Sequence, residues 1–307
     1  MAFSGNATGL DSSVSQVANM DLTSLYEANP YAVVAAVGAT AAILPLSTML
    51  LGRTSKPPPP FLTQQWQSLP LVSSQQESHN VQRLTFALLH KQQLLGLPAG
   101  QCIKVKATTA KGAELVQAFN PISTDDTPGE VVLLVKAYPE GHPQHDMAKA
   151  LSSMRKGDKI EIKGPFGSFK YQPGRYKAIG LLAGGMGVTP MINLSHVILK
   201  NPNDKVKLRL MFAANSVDDL VLKQHLDSLA AGYYGKFKSF YVVNEAPEEG
   251  HHLSLGLLDK EMVAKYLNTP PSDDVLIVLC GPPAFRADMD SVLSKLGYTN
   301  VVVIDDM

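Results

Sequence analysis

The residue runs best suited to chemistry are two loops rich in glycine and proline. The first, Gly184-Gly185-Met186-Gly187-Val188-Thr189-Pro190, follows the apolar run Ala178–Ala183. Glycines there permit a tight turn and let backbone N–H groups come close to a phosphate. Thr189 suits a helix N-cap and Pro190 the first helical position. A helix N-terminus presented by such a turn favours an anion such as a dinucleotide pyrophosphate. The run is neither G-x-G-x-x-G nor a P-loop, since no Gly-Lys-Ser/Thr follows, and by itself it also fits an ordinary strand-to-helix turn. The second loop, Cys280-Gly281-Pro282-Pro283-Ala284-Phe285, ends the apolar run Val275–Cys280. Two such loops at one sheet edge are more specific than either alone. A cysteine at a strand end is more commonly a small buried residue.

Positioning these loops requires alternating strands and helices. From Arg175 onward the sequence predicts strands at Ala178–Ala183, Lys205–Ala214, Lys236–Asn244, Val275–Cys280 and Val301–Ile304, and helices at Thr189–Lys200, Val217–Ala230, Asp259–Leu267 and Ala284–Gly297. Such alternation implies a parallel, Rossmann-like sheet covered by helices, with ligands at the carboxyl ends of its strands. Before it, Val81–Leu88, Gln101–Ala107, Leu115–Phe119, Val131–Ala137 and Lys159–Ile162 read as short strands, and only Asp146–Met154 reads as a helix. That pattern predicts a small antiparallel β-barrel.

The 307 residues suit about two domains. Lys+Arg and Asp+Glu are both 27, a balance that argues against nucleic acid as a partner. With only Cys102 and Cys280, a disulfide scaffold and a cysteine-rich zinc site are excluded. No metal site is expected: His142, His145, His251 and His252 lack a credible set of further ligands.

The charges are unevenly placed. The first 52 residues contain no Lys or Arg, and Tyr31–Gly52 is an uncharged run of 22 residues. As a helix it would be about 33 Å long, enough for a bilayer core of about 30 Å. Arg53 and Lys56 follow it, so the positive-inside tendency puts the C-terminal bulk in the cytosol. The expected organisation is a short N-terminal segment (1–30), a transmembrane anchor (31–52), a Pro-rich linker (53–60), a barrel domain (61–173) and an α/β domain (174–307).

Several runs carry a family resemblance: Leu95-Gly96-Leu97-Pro98-Ala99-Gly100-Gln101, Asn120-Pro121-Ile122-Ser123, Val135-Lys136-Ala137-Tyr138, Gly164-Pro165-Phe166-Gly167 and the two loops above. In order and spacing the chain resembles the NADH-cytochrome b5 reductase branch of the ferredoxin-NADP reductase superfamily. The resemblance implies a barrel that binds FAD and an α/β domain that binds NADH. Hydride would pass from nicotinamide to flavin, and single electrons to a haem protein such as cytochrome b5. It places Gln117, Phe119, Asn120, Pro121, Lys136, Tyr138, Met147 and Ala148 at the flavin. It places Gly184, Gly185, Gly187, Val188, Thr189, Pro190, Cys280, Gly281, Pro282, Pro283 and Phe285 at the pyridine nucleotide, with Thr189 and Cys280 as the candidate catalytic residues. It also implies a cytosol-facing membrane protein, at the endoplasmic reticulum or mitochondrial outer membrane, with room for other membrane subunits.

The departures are specific. Where the family has Arg-x-Tyr-Ser/Thr-Pro, this chain has Gln117-Ala118-Phe119-Asn120-Pro121, replacing a guanidinium that suits a pyrophosphate with a neutral amide. Where the family wraps the pyrophosphate with a Gly-Lys-Met-Ser segment, this chain has His142-Pro143-Gln144-His145-Asp146-Met147-Ala148, and Asp146 is expected to cap the helix while repelling a phosphate. Each lost charge-assisted contact costs about 1.5–3 kcal/mol, one to two decades of affinity. Asn244 stands where NADH-using relatives carry an acid; Glu245 beside it opposes the extra phosphate of NADPH without excluding that cofactor. Two function classes follow: an anchored NAD(P)H-dependent flavoprotein, the leading reading, and a catalytically inactive relative that has lost FAD and serves as a structural or nucleotide-sensing subunit.

Overall fold

The structure, a computed structural model, describes residues 58–245 and 253–304. The expected N-terminal segment and anchor, and most of the linker, lie outside them. Among the described residues no helix is long and apolar enough to cross a membrane.

The first half is an antiparallel sheet of β1 (Gln67–Ser78), β2 (Val81–Ala87), β3 (Cys102–Thr108), β4 (Glu114–Phe119), β5 (Glu130–Lys136) and β6 (Lys159–Phe166), in the order β4-β3-β6-β1-β2-β5. Alternation sets which side of a strand is buried: on β3, Ile103, Val105 and Ala107 point inward and Lys104 and Lys106 outward. By contrast β5 is apolar and buried from Val131 to Val135. One of its faces meets the barrel core through Leu133, and the other meets the second half through Leu134. The helix α1 (His145–Ser152) buries Met147, Ala148 and Leu151 against β3, β4 and β5. Because both edge strands reach this one helix, the sheet must be strongly curved. β1 was not readable as a strand, since Pro70 and the polar stretch Ser73–Ser78 obscure it and only Leu69 and Leu71 are fully buried.

The second half is a sheet of β7 (Ala178–Gly184), β8 (Lys207–Ala214), β9 (Phe237–Val243), β10 (Ser254–Leu255), β11 (Val275–Cys280) and β12 (Val301–Ile304). All pairs are parallel, in the order β10-β9-β8-β7-β11-β12. The helices are α2 (Val188–Lys200), α3 (Lys223–Gly232), α4 (Lys260–Leu267) and α5 (Pro283–Leu296). Apolar residues of α2 and α3 join one core, and those of α4 and α5 another on the opposite face. Every residue of β7 and β11 is buried, as a central strand covered on both faces requires.

Two expectations are corrected. The helix expected over Val217–Ala230 is broken into a 3₁₀ turn, Val217–Asp219, and α3. Leu220, Val221 and Leu222 are all buried, and three consecutive residues of one helix cannot all face a core. Leu222 therefore takes a left-handed conformation with φ 61° and restarts the chain. At α2, Thr189 is not the N-cap: Gly187 holds that position, after the 3₁₀ turn Gly185–Gly187.

The two halves share a core in which Val81, Ala99, Leu134 and Tyr171 pack with residues of β7, β8, α2 and α3. Polar contacts flank it. Lys136 Nζ lies 3.3 Å from Asp219, and Tyr171 donates to Asp204 at 2.5 Å. Burial raises the Asp219 carboxyl, but the Lys136 charge and donors from Lys136, Ser216 and Asn80 outweigh it and hold the group below the ordinary carboxylate range. Elsewhere on the seam Asp126 pairs with Lys200, and His196 and His225 approach to 2.9 Å between their Nε2 atoms. Burial pushes both imidazoles below their ordinary value.

Candidate functional site

The chain runs outward from β7 through β8 and β9, then returns to place β11 on the other side of β7. That reversal is the point of a doubly wound sheet where ligands bind. The Gly184 and Cys280 loops meet there. A methyl group on Gly187 would lie 2.3 Å from the Cys280 carbonyl oxygen, and one on Gly184 would lie 2.8 Å from the Phe285 ring. These glycines let the loops interlock. Gly185 differs, with φ +52° and open space where a Cβ would be, so its backbone is the part left for a ligand to approach. Thr189 Oγ1 donates to the Met186 carbonyl at 3.0 Å and braces the turn. α2 begins here with no acidic residue in its first turn, leaving the positive end of its dipole uncompensated.

Beside these loops is a cleft lined by Gln117, Ala118, Phe119, Asn120, Leu134, Val135, Lys136, Tyr138, Gln144, Met147, Ala148, Met186 and Thr189. It brings together β4, β5, α1 and the first glycine loop. The Asn120 side chain is buried, and neither its amide nitrogen nor its oxygen has a hydrogen-bond partner. A buried unsatisfied polar group costs about 1–3 kcal/mol, so this amide fits a bound group with both donors and acceptors on its rim. A flavin ring is such a group. The phosphate end is less well equipped: Gln117 is neutral, and the Lys136 ammonium is engaged by Asp219.

A second cleft shares Tyr138, Gln144 and Met186 with the first, and continues along Gly184, Gly187, Gly281, Pro282, Pro283, Arg286 and Ile304. Between the two, the His142 ring stacks on Tyr138 at 4.2 Å and 6°, and His145 Nδ1 lies 2.8 Å from the Tyr138 carbonyl. Burial raises the Tyr138 hydroxyl above its ordinary value. Asp146 is not the cap of α1, because Gln144 holds that position, and Asp146 is exposed outside both clefts. The repulsion expected from it is therefore directed to solvent.

Of the expected flavin residues, all but Pro121 line the first cleft. Of the expected nucleotide residues, Thr189 lines the first cleft, and Gly184, Gly187, Gly281, Pro282 and Pro283 the second. Gly185, Val188, Pro190, Cys280 and Phe285 line neither. Cys280 is fully buried at the end of β11, the position of a packed strand residue. Sequence reasoning missed Met186, Gln144, Leu134, Val135 and Arg286. Met186 lay inside the glycine motif but was apolar, and Arg286 stood three residues beyond Pro283 with no motif of its own. Among the described residues no cluster of His, Cys, Asp and Glu could hold a metal.

The family model for an oxidoreductase FAD-binding domain matches residues 68–171, and that for an oxidoreductase NAD-binding domain matches residues 181–291. The chain is 40% identical over 229 residues to NADH-cytochrome b5 reductase 1 of Arabidopsis thaliana, covering 75% of this chain and 79% of that protein. It is 36% identical over 272 residues to NADH-cytochrome b5 reductase 1 of Candida albicans, covering 89% and 90%. Among solved structures it is similar to the cytochrome b5 reductase domain of Ulva prolifera nitrate reductase, with a TM-score of 0.73, 30% identity, and coverage of 80% of this chain and 100% of that one.

Proposed function

The chain belongs to the NADH-cytochrome b5 reductase family of FAD- and NAD-using oxidoreductases, and on that premise we propose that it oxidises NADH and passes the electrons to cytochrome b5. The observation that carries this reading is the unpartnered Asn120 amide, buried in a cleft that Thr189 and Met186 join to the glycine loop. When bound, FAD supplies the step between a two-electron hydride donor and a one-electron haem acceptor.

The chain's own residues do the rest. Asn120 would hold the flavin ring with its amide nitrogen donating and its oxygen accepting, while Phe119, Leu134, Val135 and Met186 would exclude water around it. Thr189, fixed by its bond to Met186, holds the turn that admits the nicotinamide to the ring. Gly185 and the start of α2 receive the pyrophosphate of NADH. Arg286, on the first turn of α5 beside the same cleft, supplies a guanidinium for phosphate that position 117 lacks. Gln117 and backbone N–H groups of the first turn of α1 would hold the flavin phosphates by neutral donors. Glu245, exposed just past β9, selects against the added phosphate of NADPH.

Residues 31–52 anchor the protein in a membrane of the endoplasmic reticulum or mitochondrial exterior, with residues 61–173 and 174–307 as the two cytosolic domains. The full chain purified in detergent should be yellow with flavin absorbance and should reduce cytochrome b5 with NADH. A colourless protein that takes up no added FAD yet binds NADH would refute the redox reading.

A further inference from the structure

The outer face of the first sheet carries a row of basic and aromatic residues that line neither cleft. Lys104 on β3 and Lys163 on β6 are cross-strand partners on that face, an arrangement of like charges that is unfavourable by itself. Neighbouring Lys106 is held by Glu161, but among the described residues neither Lys104 nor Lys163 has an ion-pair partner. Both lie over aromatic rings instead. Lys104 Nζ is 4.8 Å from the centre of Phe166, and Lys163 Nζ is 4.5 Å from the centre of Trp66. Val116, 54% exposed, is the cross-strand partner of Lys106 and extends the face on β4.

The chain enters the fold beside this face. Thr63 accepts from the Gly164 N–H at 3.0 Å, and Gln64 Nε2 donates to the Pro165 carbonyl at 3.2 Å, both at the end of β6. From Gly52, where the apolar run ends, to Phe61 are nine residues including four consecutive prolines. In polyproline conformation they reach roughly 28 Å, so the tether is short.

We infer that this face, resting on the reading of residues 31–52 as an anchor, lies against an anionic membrane surface. Tryptophan sits at the level of lipid headgroups, and lysine stems lie along apolar surface while their ammonium groups meet lipid phosphates. Two cations without carboxylate partners, an indole and an exposed valine make up such a surface. An acidic haem protein is the competing occupant. Leu115 and Phe119 of β4 pack toward the barrel core, so Val116 and this row are on the opposite face of the sheet; Ala118, the cross-strand partner of Lys104, reaches the cleft from the end of that row, so the experiment must separate a docked haem acceptor from the membrane.

Trp66 is the single tryptophan of the chain, so its emission reports this face directly. The full-length protein would be reconstituted into phosphatidylcholine vesicles, with and without phosphatidylserine, carrying brominated acyl chains. The inference expects loss of Trp66 emission with phosphatidylserine present. It expects recovery at high salt and in the double variant Lys104→Glu/Lys163→Glu, whose flavin spectrum should be unchanged. Co-flotation with neutral vesicles but undiminished Trp66 emission would overturn the inference while leaving the anchor intact. Failure to float with neutral vesicles, yet lysine-dependent binding to anionic ones, would overturn the anchor and sustain the face; binding to neither would end both. Emission altered only by added cytochrome b5 would assign the face to the acceptor and overturn the inference.

Discussion

Replacing Gly187 by alanine tests the interlocked loops most directly. Gly187 has φ −60°, so alanine meets no backbone penalty and the added methyl acts by sterics alone. That methyl would stand 2.3 Å from the Cys280 carbonyl oxygen, 2.5 Å from its carbon and 2.7 Å from the Gly281 nitrogen. To reach an ordinary contact of 3.4 Å the loops must part by about 1 Å. All three obstacles are backbone, and Cys280 ends a fully buried strand, so neither side can rotate away. Overpacking of this kind costs about 1–3 kcal/mol and here belongs at the upper end. At about 2–4 °C per kcal/mol for a unit of this size, the melting temperature should fall by roughly 6–12 °C. A displacement near 1 Å at a hydride-transfer site can cost about 10²-fold in rate. The control for the melt alone is Gly185→Asn, at φ +52° with nothing within 4 Å of its would-be Cβ. Asparagine tolerates that conformation, and the change should stay within about 0.5 kcal/mol. Thermal melts read by circular dichroism, with NADH turnover on ferricyanide, measure both quantities. If Gly187→Ala melts with the parent and turns over NADH at its rate, the loops do not meet as described.

Asn120→Leu should stabilise the cofactor-stripped protein by about 1–3 kcal/mol, by removing a buried unsatisfied amide, while lowering the flavin retained after gel filtration. Arg286→Gln should weaken NADH binding by about one to two decades in isothermal titration, as loss of a charge-assisted contact does. Asp219→Asn should cost about 1.5–3 kcal/mol near pH 7. Because the folded Asp219 titrates below its ordinary value, that stabilisation is full above the unfolded pKa of about 3.9 and is lost as pH falls through the lower folded value, so the two proteins' denaturation midpoints should converge in acid. For His196 and His225 the folded values also lie below the ordinary one, so their stabilisation is present above about pH 6.5 and is lost as pH falls from there. His225→Gln should therefore flatten the decline in melting temperature between about pH 7 and about pH 5.

What the sequence revealed and what it hid have physical reasons. β11 was legible to the residue, because a central parallel strand is an uninterrupted apolar run bounded by turn residues, and β12, at the sheet edge, was legible as a short run of the same kind. β1 was hidden because most of its twelve residues are polar and its pairing with β2 and β6 comes from partners distant in sequence. The break after Val217–Asp219 was hidden because Leu220, Val221 and Leu222 fit a helical pattern locally, and only the core decides that all three turn inward. At the site, Gln117 and Phe119 on β4 and Asn120 just past its end were legible through the family resemblance. Met186, Gln144 and Arg286 reach the same clefts from three separate elements, and local spacing does not encode that meeting. The interlock of Gly187 with Cys280 was likewise read as room for a ligand, when the room is taken by the neighbouring loop.

Val81 and Leu134 of the barrel belong to the same packed interior as Leu194, Phe212 and Leu226 of the α/β half. Interiors of that density do not shear or open cheaply. The two clefts are thus set on one packed interior, and the distance between them is held by the side chains that the barrel and the α/β half share.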